Sequence, residues 1–179
     1  MREAEDLYSI KELRESASVY KTAADRYLRM GYGERALDAY REAMRTILLD
    51  VENAALRQVY RWAHNSAELS NAISDDILKG LPESTRTTEG YENAQHEERA
   101  HMAHRFAIEA DLYLKEGNIG NFYYASKEAV YEDIDDAQEA LEKGDFKRLK
   151  ECTSFIEDRL KEMIRVEIME NGTSGGTKG

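Results

Sequence analysis

The chain nearly repeats itself. Ala24-Asp25-Arg26-Tyr27-Leu28-Arg29-Met30-Gly31 returns 86 positions later as Ala110-Asp111-Leu112-Tyr113-Leu114-Lys115-Glu116-Gly117. The match continues without a gap through Ala39/Ala125, Arg41/Lys127, Glu42/Glu128, Ala43/Ala129, Asp50/Asp136 and Ala54/Ala140. A helix–turn–helix unit that recurs in one chain stacks against its neighbours to bury an apolar face it cannot bury alone. The pattern therefore predicts an all-α chain: two related helix-turn-helix hairpins in an antiparallel helical bundle or short α-solenoid, with five to six helices.

The apolar spacing locates the elements. Ile10, Leu13, Ala17, Tyr20, Ala24 and Tyr27 recur at intervals of three and four, one face of a helix that stops at Gly31 and Gly33. A second pattern runs from Glu34 through Ala36, Tyr40, Ala43, Ile47, Val51 and Ala54 to Trp62, with no Gly or Pro before Gly80. It predicts one long helix or a break near Asn65 or Asn71, where weak helix formers can cap a new start. Residues 80–94 hold the only Pro and two Gly, and read as a crossover. Helical spacing resumes near Gln95, stops at Gly117, resumes from Ile119 to Lys143, stops at Gly144 and runs from Phe146 to Ile168. The expected organisation is a single domain over 1–170, with units at about 8–79 and 95–170, and a disordered Gly/Ser/Thr-rich tail over 171–179.

Charge narrows the function classes. The formal net charge is −11, concentrated in the second half: residues 1–80 carry 12 basic and 14 acidic groups, residues 81–170 carry 12 and 22. Such a surface repels phosphate backbones, so a nucleic-acid partner is not expected, although Arg35, Arg41, Arg45, Arg57 and Arg61 could form a local basic patch. No run reaches the roughly 18 apolar residues of a membrane span. The start, Met1–Asp6, is charged and lacks the apolar segment of a signal peptide, and the lone Cys152 gives no internal disulfide; both point to the cytoplasm.

Tyr20, Ala24, Tyr27, Gly31, Ala36, Tyr40 and Ala43 fall at the spacings of a tetratricopeptide repeat. Residues 20–47 resemble that family well and 106–156 loosely, through Phe106, Ala110, Tyr113, Gly117, Phe122, Ser126 and Ala129. The resemblance implies that the first helix of each unit lines a concave groove for a peptide or partner helix. Lys21, Asp25 and Arg29, then His104, Asp111 and Lys115, are the side chains it would present.

Three constellations could carry chemistry. Glu97, His101 and His104 share a helix face, with imidazole and carboxylate at a spacing that can ligate zinc or iron. Arg99 and His104, with four residues between them, resemble the R-x4–6-H motif of HEPN-family helical ribonucleases, in which Arg and His act together on RNA. The run Glu128, Glu132, Asp133, Asp135, Asp136, Glu139, Glu142 lies between Lys127 and Lys143 without a basic residue. It reads as a solvated face, or as a docking stripe in which Glu132, Asp135, Asp136 and Glu139 meet a basic partner surface. Cys152 sits on the inward side of its helix and reads as a core residue. Gly-rich phosphate loops and nucleophile motifs are absent.

These readings favour a non-enzymatic helical-repeat protein for protein–protein interaction or assembly, with no cofactor or metal assigned and a homo-oligomer left open. The alternative is a HEPN-like ribonuclease or metal-binding helical-bundle enzyme centred on residues 96–104.

Overall fold

The computed structural model describes the backbone of residues 2–80 and 93–177, and the side chains of residues 10–80 and 98–172. Six helices account for the described backbone: α1 (Arg2–Arg29), α2 (Gly33–Leu56), α3 (Tyr60–Gly80), α4 (Asn93–Lys115), α5 (Ile119–Lys143) and α6 (Phe146–Thr177). The crossover expected over 80–94 falls largely outside the described residues. No helix is long and apolar enough to cross a membrane among the described residues.

Two tight turns join the helices within each half, and all four close the same way. A residue with positive φ follows each helix: Gly31 at 82°, Gln58 at 61°, Gly117 at 77° and Gly144 at 77°. Each donates its N–H three residues back, and the next residue donates five back, as in Gly31→Leu28 at 3.1 Å and Tyr32→Tyr27 at 2.8 Å. That bonding pattern satisfies the last carbonyls of a helix and needs a left-handed residue after the final turn, where glycine is least strained. Every one of these bonds recurs 86 positions on: Tyr32→Tyr27 as Asn118→Tyr113, Val59→Ala54 as Asp145→Ala140.

The break after α2 corrects one expectation. It falls at Arg57-Gln58-Val59 rather than at Asn65 or Asn71, both of which lie inside α3. A glutamine takes the left-handed position that Gly144 occupies in the second half, so no glycine announces the stop.

α2 packs on α3, α3 on α6, α6 on α5 and α5 on α2, which closes a ring of four helices; α1 leans mainly on α2 and α4 on α5. The closed ring is a bundle and not an open solenoid. The hydrophobic core holds Tyr40, Met44, Ile47, Leu48, Phe122, Ile134, Leu141 and Phe146, all fully buried. Burying one such side chain contributes about 1.5–3 kcal/mol. Ala17 and Ala24 on α1, and Ala103 and Ala110 on α4, are also buried and let the outer helices approach closely.

The seam between α3 and α6 is polar. Ser74 Oγ lies 3.1 Å from Thr153 Oγ1, and Asn71 Oδ1 accepts from Lys150 Nζ (2.6 Å), Thr153 Oγ1 (3.1 Å) and Ser154 Oγ (3.2 Å). Buried polar groups are tolerable only when paired in this way.

Candidate functional site

Each half buries an aspartate at the same place on its second helix, and the two are held differently. Asp50 is fully enclosed. Its Oδ1 accepts from Trp62 Nε1 at 2.8 Å and its Oδ2 from Ser66 Oγ at 2.9 Å. Arg14 from α1 stacks 3.5 Å over the Trp62 ring, donates to Ser66 Oγ and reaches within 3.8 Å of Asp50. Burial pushes the Asp50 carboxyl up, and the Trp62 and Ser66 donors and the Arg14 charge oppose that push.

Asp136 is its counterpart and is also fully buried. Its Oδ2 accepts from Arg148 Nε (3.1 Å) and Nη2 (2.8 Å), with the Cys152 thiol 3.4 Å away. Arg148 and Cys152 stand 86 positions after Trp62 and Ser66. Two further positions break the likeness: Ala100 stands where the first half has Arg14, and Asp133 where it has Ile47. Loss of the guanidinium leaves a pocket of about 280 Å³ between α4, α5 and α6, lined by Ala100, Ala103, His104, Asp133, Arg148, Glu151, Cys152 and Phe155. Burial, and then the neighbouring Asp136 charge, raise the Asp133 carboxyl to about 8. Burial also pushes the Cys152 thiol well up, so it is not a ready nucleophile.

A second pocket, of about 500 Å³, opens where the start of α3 meets α5 and the far part of α6. Tyr60, Tyr123, Tyr124, Lys127, Glu167 and Glu170 face it, with Gln58, Gly120 and Asn171. The Tyr60 and Tyr123 rings stack at 5.4 Å and 4°. Tyr123 donates its hydroxyl to Glu170 at 3.2 Å, and Tyr124 is 61 % exposed. Burial, then the Tyr131 and Glu167 charges, raise the Tyr60 hydroxyl to about 12. Glu167 and Glu170 form no ion pair among the described residues.

Among the described residues two groups of side chains have donors close enough for a metal: Asp133, Asp136 and Cys152, and His64, Glu68 and Glu157. In the second group Glu157 already accepts from Asn71 and His64 Nδ1 lies 3.1 Å from Glu68.

The sequence-selected residues do not converge. Lys21, Asp25 and Arg29 do line one open pocket of about 530 Å³, with Tyr40, Asp76 and Lys79. There Lys21 Nζ pairs with Asp25 (3.0 Å) and Asp76 (2.9 Å), and Tyr40 donates to Asp25 at 2.5 Å. The matching set separates: His104 belongs to the Asp133 pocket, Asp111 pairs with Arg159 at 3.4 Å, and Lys115 is exposed. The two sets do not share a groove.

The acidic docking stripe also needs correction. Asp135 is exposed and Glu132 half-buried, but Asp136 is buried on Arg148, and Glu139 is paired with Arg99 and Lys143. The reason is helical phase: Asp133 and Asp136 share the inward face with Ala129, Val130, Ala137 and Ala140. The Arg99/His104 pair is divided, since Arg99 is engaged by Glu139 while the His104 ring packs edge-on against Phe155 at 5.2 Å. His101 is exposed, and the Glu97 side chain lies outside the described residues.

Sequence reasoning missed both pockets. The Asp50/Asp136 match on an apolar face was one available signal, because an aspartate placed twice among alanines marks an inward carboxyl. The tyrosine pocket draws on three helices and has no local motif. Comparison with protein-family models, with curated proteins and with solved structures finds no match for the chain.

Proposed function

We propose that the protein is a non-enzymatic protein–protein interaction module that holds a lysine- or arginine-bearing segment of its partner on the tyrosine–glutamate pocket. The observation that carries this reading is Glu167 and Glu170 standing beside Tyr60, Tyr123 and Tyr124 without an ion-pair partner among the described residues. Carboxylates attract an ammonium or guanidinium group, and tyrosine faces add a cation–π attraction of about 0.5–2 kcal/mol. Tyr124 offers an exposed ring to a visitor, whereas the Tyr60–Tyr123 stack holds the wall rigid. The net charge of −11 steers a basic segment towards the protein at low salt. The basic partner surface expected from the acidic helix is thus kept, and its landing place moves to the start of α5 and the far part of α6. Lys127 in the same wall opposes the attraction and sets a limit on affinity.

The test is a calorimetric titration of the full chain with tetralysine. Saturable binding that weakens with added salt is expected, and the double variant Tyr124→Ala with Glu170→Gln should weaken it at least about tenfold, or 1.4 kcal/mol. Both positions are exposed, so circular dichroism should be unchanged. Equal affinity in the variant would sink the reading.

A further inference from the structure

Four exchanges between the Asp133 pocket and its counterpart in the first half act together. Ile47 gives way to Asp133, which adds a carboxyl; Ser66 gives way to Cys152, which adds a thiol; Trp62 gives way to Arg148, which sets a guanidinium on Asp136 from α6; Arg14 gives way to Ala100, which takes away the cation of the outer helix and opens the space. Asp133 is only 5 % exposed, lines the pocket and has no hydrogen-bond or ion-pair partner among the described residues. An oxygen of Asp133, an oxygen of Asp136 and Cys152 Sγ all lie within 4.8 Å of one another.

We propose that Asp133, Asp136 and Cys152 form a binding site for a divalent transition metal of the zinc class. A metal seated about 2.0–2.3 Å from oxygen and sulfur donors needs them nearly this close together. The thiol selects the metal type, because hard ions such as magnesium and calcium take oxygen ligands and leave thiolates alone. Two carboxylates and a thiolate carry three negative charges, which a dication would offset in large part. Without a metal, Arg148 pairs with Asp136 at 2.8 Å and with Glu151 at 3.5 Å, while Asp133 has no ion-pair partner among the described residues. Binding forms metal–oxygen and metal–sulfur bonds and breaks the O–H of Asp133 and the S–H of Cys152, whose protons pass to solvent. The pocket gives the ion a path past Ala100 and Ala103, and His104 stands in the same lining. At the matching place in the first half Trp62, Ser66 and Arg14 already surround Asp50.

The experiment is a titration of metal-free full-length protein with Co²⁺, followed by absorbance. A thiolate-to-cobalt charge-transfer band in the near ultraviolet should saturate at a single equivalent, with release of about two protons, and Zn²⁺ should displace it. Cys152 is the only cysteine, so a band in the wild type can come from no other sulfur. Cys152→Ser and Asp133→Ile install the side chains that the first half holds at these positions, so both should fold; each should abolish the band. His101→Ala should leave it intact. Absence of the band in wild-type protein overturns the proposal, as does a band that survives Asp133→Ile. Cobalt bound without the band and lost in His101→Ala would place the metal on the exposed histidines and overturn it equally.

Discussion

Asn71 Nδ2 donates to Glu157 Oε2 at 2.6 Å, and these two residues are each other's equivalents, 86 positions apart. Equivalent helices likewise meet: α2 on α5 and α3 on α6. A position that touches its own counterpart lies where an approximate twofold axis would pass between the halves. The same bond joins the halves chemically, because Asn71 also collects Lys150, Thr153 and Ser154.

Asn71→Ala should therefore destabilise the chain by about 1–3 kcal/mol, through the donors and the Glu157 carboxylate left unpaired in a partly buried seam. Urea unfolding measures this. A change below a few tenths of a kcal/mol would show that water replaces the amide without loss.

Gln58 holds φ at 61° without the freedom of glycine. Gln58→Gly should raise stability by about 1 kcal/mol, and Gly144→Gln should lower it by a similar amount. Paired thermal melts of the two variants would show opposite shifts in Tm.

Asp133 couples stability to pH. Its carboxyl titrates near 8 in the folded chain against 3.8 ordinarily, mainly through burial and then the Asp136 charge. Between those values the folded protein keeps a proton that the unfolded chain has released. Stability is then highest below about pH 4 as far as this group is concerned, and falls as pH rises towards 8, by an amount on the order of a few kcal/mol. Asp50, also raised by burial, adds the same sign. Asp133→Ile should flatten the slope and stabilise the protein at pH 8, as read by denaturant midpoints across pH.

Neutralising the acidic helix should split into two outcomes. Glu132→Gln with Asp135→Asn should leave Tm unchanged or slightly raised, since repulsion at helical spacing is worth only about tenths of a kcal/mol per pair. Adding Asp136→Asn should cost about 3–5 kcal/mol, because it leaves the Arg148 guanidinium without its buried anion.

The helix pairs were legible where glycine marked the turns. Gly31, Gly117 and Gly144 each stop a helix, and the apolar spacing on either side gives α1, α2, α5 and the start of α6. The α2–α3 break was not legible locally, because Gln58 is an ordinary helix former and its left-handed turn is imposed by the packing of α3 back on α2. Carrying Gly144 back 86 positions would have found it. The acidic run hid its own phase: seven carboxylates look like one wet face until Asp133 and Asp136 are set against Ala129, Val130, Ala137 and Ala140. Tyr60, Tyr123 and Glu170 come together only because the starts of α3 and α5 meet the far part of α6 at one corner, a relation that no single stretch of chain contains.

The ring of α2, α3, α6 and α5 also ranks the helices by how easily they come loose. α1 and α4 stand outside it, each resting mainly on one neighbour, so either can fray while the ring stays closed. Native-state hydrogen exchange should find α1 and α4 amides opening at lower free energy than those of α2 and α5. Ala100, Ala103 and His104 ride on α4, so each such excursion also unroofs Asp133 and Cys152. The traffic of ions to that carboxyl and thiol would follow the breathing of one outer helix, and a variant that pins α4 down would slow it without touching a ligand.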